Sequence, residues 1–127
     1  MDFSNYLANK IISATVRNTP YTTPASVWIA LYTTDPTKDD KGAEVREPSY
    51  NRQELSMTVP VSGRSENASQ IDFAEATTNW GYVTHVGIKD QAFDGNLLYF
   101  TELDNPKTIL SGDQFRIDID KLSLQLT

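Results

Sequence analysis

Hydrophobic side chains occupy alternate positions through much of this chain after about residue 20. The clearest case is QFRIDIDKLSLQLT, in which Phe115, Ile117 and Ile119 are separated by charged residues. Successive side chains on a β-strand point to opposite faces of the sheet, so a period of two predicts strands with one covered face. A helix would scatter the same side chains around its axis, which makes a mainly β fold the expectation.

The alternation changes parity once near the C-terminus, at Asp120 and Lys121. Before that point the apolar residues hold odd positions, and after it they hold the even positions of Leu122, Leu124 and Leu126. One extra residue in the alternation predicts a β-bulge or a corner between two sheets.

Five earlier segments are also predicted as strands, because they are rich in β-branched and aromatic residues and bounded by turn residues. They are SVWIALYTT (26–34), RQELSMTVPV (52–61), QIDFAE (70–75), NWGYVTHVGIKD (79–90) and NLLYFTEL (96–103). The first is almost continuously apolar, which predicts a central strand, while Pro60 predicts that the second is an edge strand or ends there. Asp94-Gly95 supplies the positive φ of a tight hairpin turn.

Two polar segments are predicted as loops, 35–49 and 104–113, and the second is expected to contain a short extended piece. The first has two prolines and one glycine and is the longest irregular stretch. We predict that it is the most mobile part of the chain.

The alternation in NWGYVTHVGIKD places Trp80, Tyr82, Thr84, Val86 and Ile88 together on the heavier face, which should face the core. His85, the only histidine, then lies on the lighter face near Gly87, where a glycine leaves room for a close neighbour.

His85 could act as a general base, but no nucleophile motif of the G-x-S-x-G kind accompanies it. We interpret it as a structural residue. The sequence therefore predicts no catalytic residue, no cofactor site and no enzyme.

A helix is predicted only at the N-terminus, over residues 2–17, where Phe3, Leu7, Ile11 and Ala14 form an apolar stripe. Asp2 or Ser4 could cap its first turn. We divide residues 1–127, expected to be a single domain, into an N-terminal helix or arm (1–18) and a β-sandwich (20–127). The helix either packs on its own domain or docks on a neighbouring subunit.

Charge and composition exclude several classes of partner. Eleven basic and 17 acidic residues give a net charge of −6, and no stretch gathers Lys and Arg into a patch. The chain therefore lacks the basic surface that nucleic acids and anionic membranes require, and we predict neither partner. It contains no apolar run long enough to span a bilayer and no N-terminal secretory signal.

No metal site is predicted. The chain has no cysteine, which excludes disulfides and thiolate metal sites. Asp35, Asp39 and Asp40 could supply oxygen ligands for calcium, but their spacing matches no EF-hand and two lysines lie among them.

Six or more short strands, one helix and no alternation of strands with helices predict an antiparallel β-sandwich or jelly roll with an N-terminal α-helix. The order of the segments also resembles a family of small proteins from tailed bacteriophages and prophages, commonly labelled tail fibre protein or virion structural protein. The resemblance covers about the whole chain and is most specific in LYTTDPT (31–37), NWGYVTHVGI (79–88) and the GNLL…SGD series (95–113).

The resemblance implies a virion structural protein, assembled in the host cytoplasm. Similar small jelly-roll proteins act as cement, or decoration, proteins on phage heads. Because this chain has neither the length nor the repeats of a fibre shaft, we predict a capsid cement protein that binds the outer head surface. The alternative is a tail fibre or tail-tip component that binds a host receptor or carbohydrate, with Tyr21, Tyr32 or Tyr50 stacking on sugars.

The implied partners are copies of the chain itself, as a homotrimer or dimer, and the major capsid protein or tail proteins. The candidate subunit interface is the apolar side of the helix, formed by Phe3, Tyr6, Leu7 and Ile11, with loop 35–49 as a second candidate. Trp28, Trp80 and Tyr82 are interpreted as core residues, or alternatively as interface hot spots.

Overall fold

The computed structural model describes residues 1–126, and in that range the chain is mainly β with one helix, as predicted. The elements are β1 (Asp2–Phe3), α1 (Asn5–Val16), β2 (Val27–Tyr32), β3 (Gln53–Leu55), β4 (Arg64–Glu66), β5 (Ile71–Asp72), β6 (Gly81–Lys89), β7 (Leu97–Ile109), β8 (Arg116–Ile117) and β9 (Ser123–Gln125). All strand pairs are antiparallel.

The largest sheet has five strands in the order β1-β7-β6-β2-β3, and two smaller sheets pair β4 with β9 and β5 with β8. β2 lies inside the large sheet and its last four residues are buried, so the predicted central strand is confirmed. β3 is at the sheet edge, as Pro60 indicated, but it ends at Leu55, well before the proline.

The core contains apolar side chains from the large sheet and from both small sheets. An aromatic cluster lies at its centre. Phe73 is fully buried, stacks on Tyr50 at 6.1 Å between ring centroids and meets the edge of Phe115 at 5.7 Å. Trp80 packs edge-on against Tyr50 at 5.4 Å. Offset and edge-to-face pairs of this kind favour aromatic packing beyond the area that they bury.

The pairing of β6 with β7 contains a large irregularity that the sequence did not predict. Val83 is paired with Lys107 and His85 with Glu102, so β7 advances by five residues where β6 advances by two. β7 thereby continues to Ile109, through the segment that was predicted as a loop. Before the shift the expected faces of β6 are reversed: Val83 is fully buried, whereas Tyr82 is 56% exposed, so its predicted core position is wrong. After the shift, Val86 and Ile88 are buried as predicted.

Gly87 confirms the expected close approach on β6. A methyl group at this position would lie 2.8 Å from Leu97 Cδ1 and 2.9 Å from Tyr32 Cε1. Both distances are shorter than real Cβ contacts, so only glycine fits between these two side chains without a shift.

The helix is shorter than predicted because Asp2 and Phe3 pair with β7 as a strand. Ser4 is the N-cap, and its hydroxyl accepts a hydrogen bond from the Leu7 amide at 3.0 Å. In residues 1–126 the helix is too short and too polar to meet the requirements of a membrane span.

The parity change near the C-terminus marks a corner between the two small sheets, as predicted. β8 pairs with β5, β9 pairs with β4, and between them Asp120 has a positive φ of 67°. Asn67, which is fully buried, holds this corner through its side-chain amide. It donates to the carbonyls of Ser69 and Asp118 and accepts from the Leu122 amide, each at 2.9 Å.

Candidate functional site

The four residues of the predicted subunit interface have contacts within their own chain. Leu7 is 4% exposed and belongs to the core. Phe3 packs on Tyr99, with 5.5 Å between ring centroids, and Tyr6 and Ile11 are half-buried against the core. The structure thus explains how the helix is held on the sheet, and their contact with another subunit stays a prediction.

The outward side of α1 carries two further apolar residues that the sequence analysis did not select. Ile12 is 55% exposed and Val16 is 76% exposed. Residues four positions apart lie on the same side of a helix, so these two form one exposed apolar strip.

Two exposed apolar residues, Val59 and Val61, lie in an extended segment close to the C-terminal strand β9. Residues 57–61 turn back at Ser62 and Gly63, both with positive φ, and are bridged to the following segment at Met57–Asn67 and Val61–Arg64. Together with β4 and β9 they form a three-stranded unit, which we call the terminal ribbon.

The apolar side chains at the outer end of the terminal ribbon are more exposed than those that lie next to the core. Met57 still packs against the core, whereas Val59 is 85% exposed and Val61 72% exposed. On β9 and its flanks, Leu122 is buried, Leu124 is half-buried and Leu126 is 49% exposed. The ribbon therefore extends an apolar surface beyond the point where its own domain covers it.

A groove lies between segment 44–52 and the turn that joins β6 to β7. It has a volume of about 410 Å³. Its lining residues are Glu44, Val45, Arg46, Glu47, Tyr50, Asn51, Arg52, Ala92, Phe93 and Asp94. Phe93, on the turn, is 80% exposed.

Arg52 fixes the two walls of this groove to each other. Its Nε and Nη2 donate to the two carboxylate oxygens of Glu44 at 2.8 and 2.7 Å, while Nη1 donates to the carbonyls of Gln91 and Asp94 at 2.8 and 2.7 Å. Burial alone would lower the pKa of Arg52, but the hydrogen bond and charge of Glu44 raise it overall. The guanidinium therefore stays charged, and it donates four hydrogen bonds.

Tyr50 extends the same network into the sheet. Its hydroxyl donates to Glu44 Oε2 at 2.6 Å and accepts from the Leu31 amide at 3.0 Å. Burial, followed by the negative charge of Glu44, raises the pKa of Tyr50 well above its usual value.

The tyrosines proposed for sugar stacking occupy other roles. Tyr32 is 1% exposed and its hydroxyl donates to Asp40 at 2.8 Å, so that expectation is wrong for Tyr32. Tyr50 stacks within the core, and Tyr21 is half-buried against it. Of the suggested hot spots, Trp80 is a core residue, whereas Tyr82 is exposed.

The aspartates of loop 35–49 make structural contacts. Asp40 accepts from Tyr32 and from the buried ammonium of Lys89, and Asp39 accepts from Asn5 at 2.8 Å. Asp35 accepts from the Thr37 amide at 2.9 Å. Within residues 1–126, no three His, Cys, Asp or Glu side chains are grouped so that they could hold a metal ion.

His85 is half-buried, and its Nδ1 lies 2.7 Å from the Thr84 hydroxyl. It faces Tyr32 and Glu102 across the neighbouring strands. This arrangement is compatible with the structural role that the sequence analysis assigned to it.

Comparison with known proteins supplies the family. A family model described as podophage GP4 fiber I protein gp80 matches residues 2–125. No curated protein matches the chain. The match is to a fibre protein, so the prediction of a capsid cement protein is wrong and the tail fibre alternative is the better reading. The shortness of the chain did not exclude a fibre protein, because the size of one chain does not limit an assembly built from several chains.

Since the match spans nearly the whole sequence, this chain belongs to the podophage GP4 fiber I protein gp80 family, a family of bacteriophage fibre proteins and hence of virion structural components.

Proposed function

We propose that this chain is a structural subunit of the tail fibre that associates with copies of itself, as a dimer or trimer, and attaches to neighbouring tail proteins. The observation that carries the proposal is the exposed apolar surface of the terminal ribbon, with Val59 85% exposed and Val61 72% exposed. Burial of apolar surface is worth about 25 cal/mol per Å², so covering these side chains favours association.

A second copy of the chain is the proposed occupant of this surface. Each chain carries a net charge of −6, so two copies repel one another unless they meet through a surface that has no net charge of its own. On β4, Arg64 and Glu66 flank Ser65 and therefore lie on the face opposite to the one that Ser65 shares with Leu124. Val61 is paired with Arg64 and so lies on the face of Arg64 and Glu66, whose two charges have opposite sign. Arg64 and Glu66 also pair with each other, 3.5 Å apart.

The geometry favours packing of ribbon faces over addition of a strand to the ribbon edge. Pro60 lies in the outer segment of the ribbon and has no N–H to offer to an added strand. A stable contact buries about 800 Å² per partner, so the ribbon would form the centre of a larger interface. Repetition of weak contacts around a symmetric assembly then gives firm attachment.

The test compares the mass of the assembly in solution for three proteins by light scattering after gel filtration. The wild type is expected to form a dimer or trimer. The double variant Val59→Thr, Val61→Thr, which keeps β-branched residues, is expected to shift to the monomer. Tyr82→Thr is the matched control, since it removes an exposed apolar side chain from another strand. A wild-type chain that stays monomeric at high concentration would refute the proposal, as would dissociation caused only by Tyr82→Thr.

The helix is proposed as the contact with other tail proteins. Leu7 holds α1 on the sheet, which leaves Ile12 and Val16 for a partner, together with the half-buried Tyr6 and Ile11. The variant Ile12→Gln, Val16→Gln is expected to keep the mass of the wild-type oligomer but to be missing from purified phage particles. Normal incorporation of this variant would exclude the outward side of the helix as the attachment surface.

A further inference from the structure

We propose that Lys89 and Asp40 form an intramolecular amide bond, which crosslinks strand β6 to the loop that follows β2. The inference goes beyond the proposed function and does not depend on self-association or on attachment to other tail proteins. It rests on the burial of the lysine, on the position of the carboxylate and on a tyrosine hydroxyl that contacts the same carboxylate. In a chain without cysteine, such a bond does what a disulfide does elsewhere, because it constrains the unfolded state.

Lys89 places an amine inside the protein. Its side chain is 5% exposed, and its Nζ lies 2.5 Å from Asp40 Oδ2. Within residues 1–126, Nζ makes no other hydrogen bond. Taking two charges out of water is costly, so a buried ion pair is a weak source of stability. Formation of a neutral amide removes both charges, and with them that cost.

Tyr32 contacts the same carboxylate from another side. Its ring lies against Gly87 of β6, where a methyl group would be 2.9 Å from Tyr32 Cε1. Tyr32 is 1% exposed, and its hydroxyl donates to Asp40 Oδ1 at 2.8 Å. One oxygen of Asp40 therefore contacts the amine and the other contacts a hydrogen-bond donor. Amide formation is favoured by this arrangement, because the donor stabilises the negative charge that develops on Oδ1.

The loop after β2 holds Asp40 in place before any covalent bond forms. The amide of Lys41 donates to the Pro36 carbonyl at 2.6 Å. The Asp39 carboxylate accepts from Asn5 Nδ2 at 2.8 Å, which fixes the loop to the start of the helix. Asp40 itself has a φ of 56°, a conformation that few residues with a side chain adopt and that these contacts maintain. An amine and a carboxyl carbon held at such close range react as if both were present at very high concentration.

The reaction needs no further reactant. Lys89 Nζ transfers one proton to Asp40 Oδ2 and attacks Cγ, so that a C–N bond forms and negative charge moves to Oδ1. Oδ2 then takes a second proton from Nζ and leaves as water, which breaks the C–O bond. The nitrogen keeps its third proton as the amide N–H, and the positive and negative charges of the pair disappear together. The Asp40 side chain is 28% exposed, so the released water has a path to solvent.

The test is the intact mass of the purified full chain, measured when fresh and after prolonged storage at neutral pH. The wild type is expected to be lighter than its sequence by the mass of one water. Proteolysis should then release a branched peptide that joins the segment of Asp40 to that of Lys89. Lys89→Arg, which keeps the positive charge but replaces the amine, should have the full sequence mass. Lys41→Arg, at an exposed lysine of the same loop, is the matched control and should lose water as the wild type does.

A third variant tests the hydroxyl that contacts the reacting carboxylate. Tyr32→Phe is expected to form the bond about 100-fold more slowly, as is typical when one donor to a developing oxyanion is removed. The crosslinked fraction, followed by mass at successive times after synthesis, measures this rate. A change in folding stability alone would not alter that rate once the variant has folded.

Three results would overturn the inference. They are a wild type that keeps its full sequence mass throughout, an equal loss of water by Lys89→Arg, and a loss of water confined to one unbranched peptide, as a cyclic imide at Asp94-Gly95 would give. The wild-type mass and the branched peptide decide the matter even where Lys89→Arg does not fold. The test does not involve the mass of the assembly, so its failure is distinct from a failure of the proposed function.

Discussion

Tyr50 is the residue at which the aromatic core meets the polar network of the groove. Its ring stacks on Phe73 and contacts Trp80, while its hydroxyl bridges Glu44 and the Leu31 amide. A buried phenol with both hydrogen-bonding functions satisfied stabilises the fold only in its neutral form, because an ionised oxygen would lie against the Glu44 carboxylate. The stability of the chain is therefore sensitive to pH at this position.

We expect the stability of the chain to fall once the pH exceeds 10.0, the ordinary pKa of tyrosine. Burial raises the pKa of Tyr50 and, together with Asp40, that of Tyr32. Below pH 10.0 both tyrosines are neutral in the folded and in the unfolded chain, so their full contribution to the free energy of unfolding is present. Above it the unfolded chain releases protons that the folded chain retains, and each tyrosine can remove up to about 1.4 kcal/mol per pH unit.

Urea unfolding at neutral pH and at about one pH unit above 10.0 measures the loss of stability. Tyr50→Phe should destabilise the chain at neutral pH by about 1–3 kcal/mol, because the buried Leu31 amide loses its acceptor, but should show a smaller loss at alkaline pH. Tyr82→Phe, at an exposed tyrosine, serves as the control. Equal alkaline losses for the wild type and Tyr50→Phe would contradict the argument.

The corner between β8 and β9 is held by one buried side chain, that of Asn67. The side chain of Asn67 makes one hydrogen bond to a backbone group of each of Ser69, Asp118 and Leu122. The backbone of Asn67 also donates to the Leu122 carbonyl at 3.0 Å. Because β9 begins directly after this corner, Asn67 also determines how the terminal ribbon is attached to the core.

We expect Asn67→Ala to destabilise the chain by about 2–3 kcal/mol, because buried backbone groups would lose their partners. Urea unfolding measures the global effect, and hydrogen exchange of the amides of 122–125 measures release of the ribbon. Asn105→Ala, at an exposed position of β7, is the matched control and should stay within about 0.5 kcal/mol of the wild type. A loss as small as that of the control would show that the corner is held by packing alone.

The sequence predicts some elements better than others. The difference depends on whether a feature is local in the chain or arises from contacts between distant segments. The corner at Asp120 was predictable because alternation and its parity are local properties of one strand. The exposure of Tyr82 was not, since it arises from extra residues in β7, the neighbouring strand. The groove was missed for a similar reason: Arg52 and Phe93 lie far apart in the chain, and only pairing of Arg52 with the turn carbonyls brings their segments together. The periodicity of the helix identified an apolar stripe but could not show that Leu7 lies in the core whereas Ile11, in the same stripe, is only half-buried.

At the scale of the whole molecule, net charge and apolar surface act in opposite directions on assembly. A charge of −6 on each copy opposes self-association, whereas the ribbon favours it. In the proposed assembly, this opposition would keep single copies dispersed and let them associate when they are held close together, since an effective local concentration replaces part of the attraction.

The same opposition predicts the salt dependence of self-association. Added salt shortens the Debye length from about 30 Å at 0.01 M to about 3 Å at 1 M and so removes repulsion between copies. An apolar ribbon contact is not weakened by that screening, whereas a contact made of exposed ion pairs would be. Sedimentation velocity of the wild type should therefore show more oligomer at high salt than at low salt, and the double variant Val59→Thr, Val61→Thr should remain monomeric at both. Dissociation of the wild-type oligomer by salt would mean that charged groups, and not the terminal ribbon, form the contact.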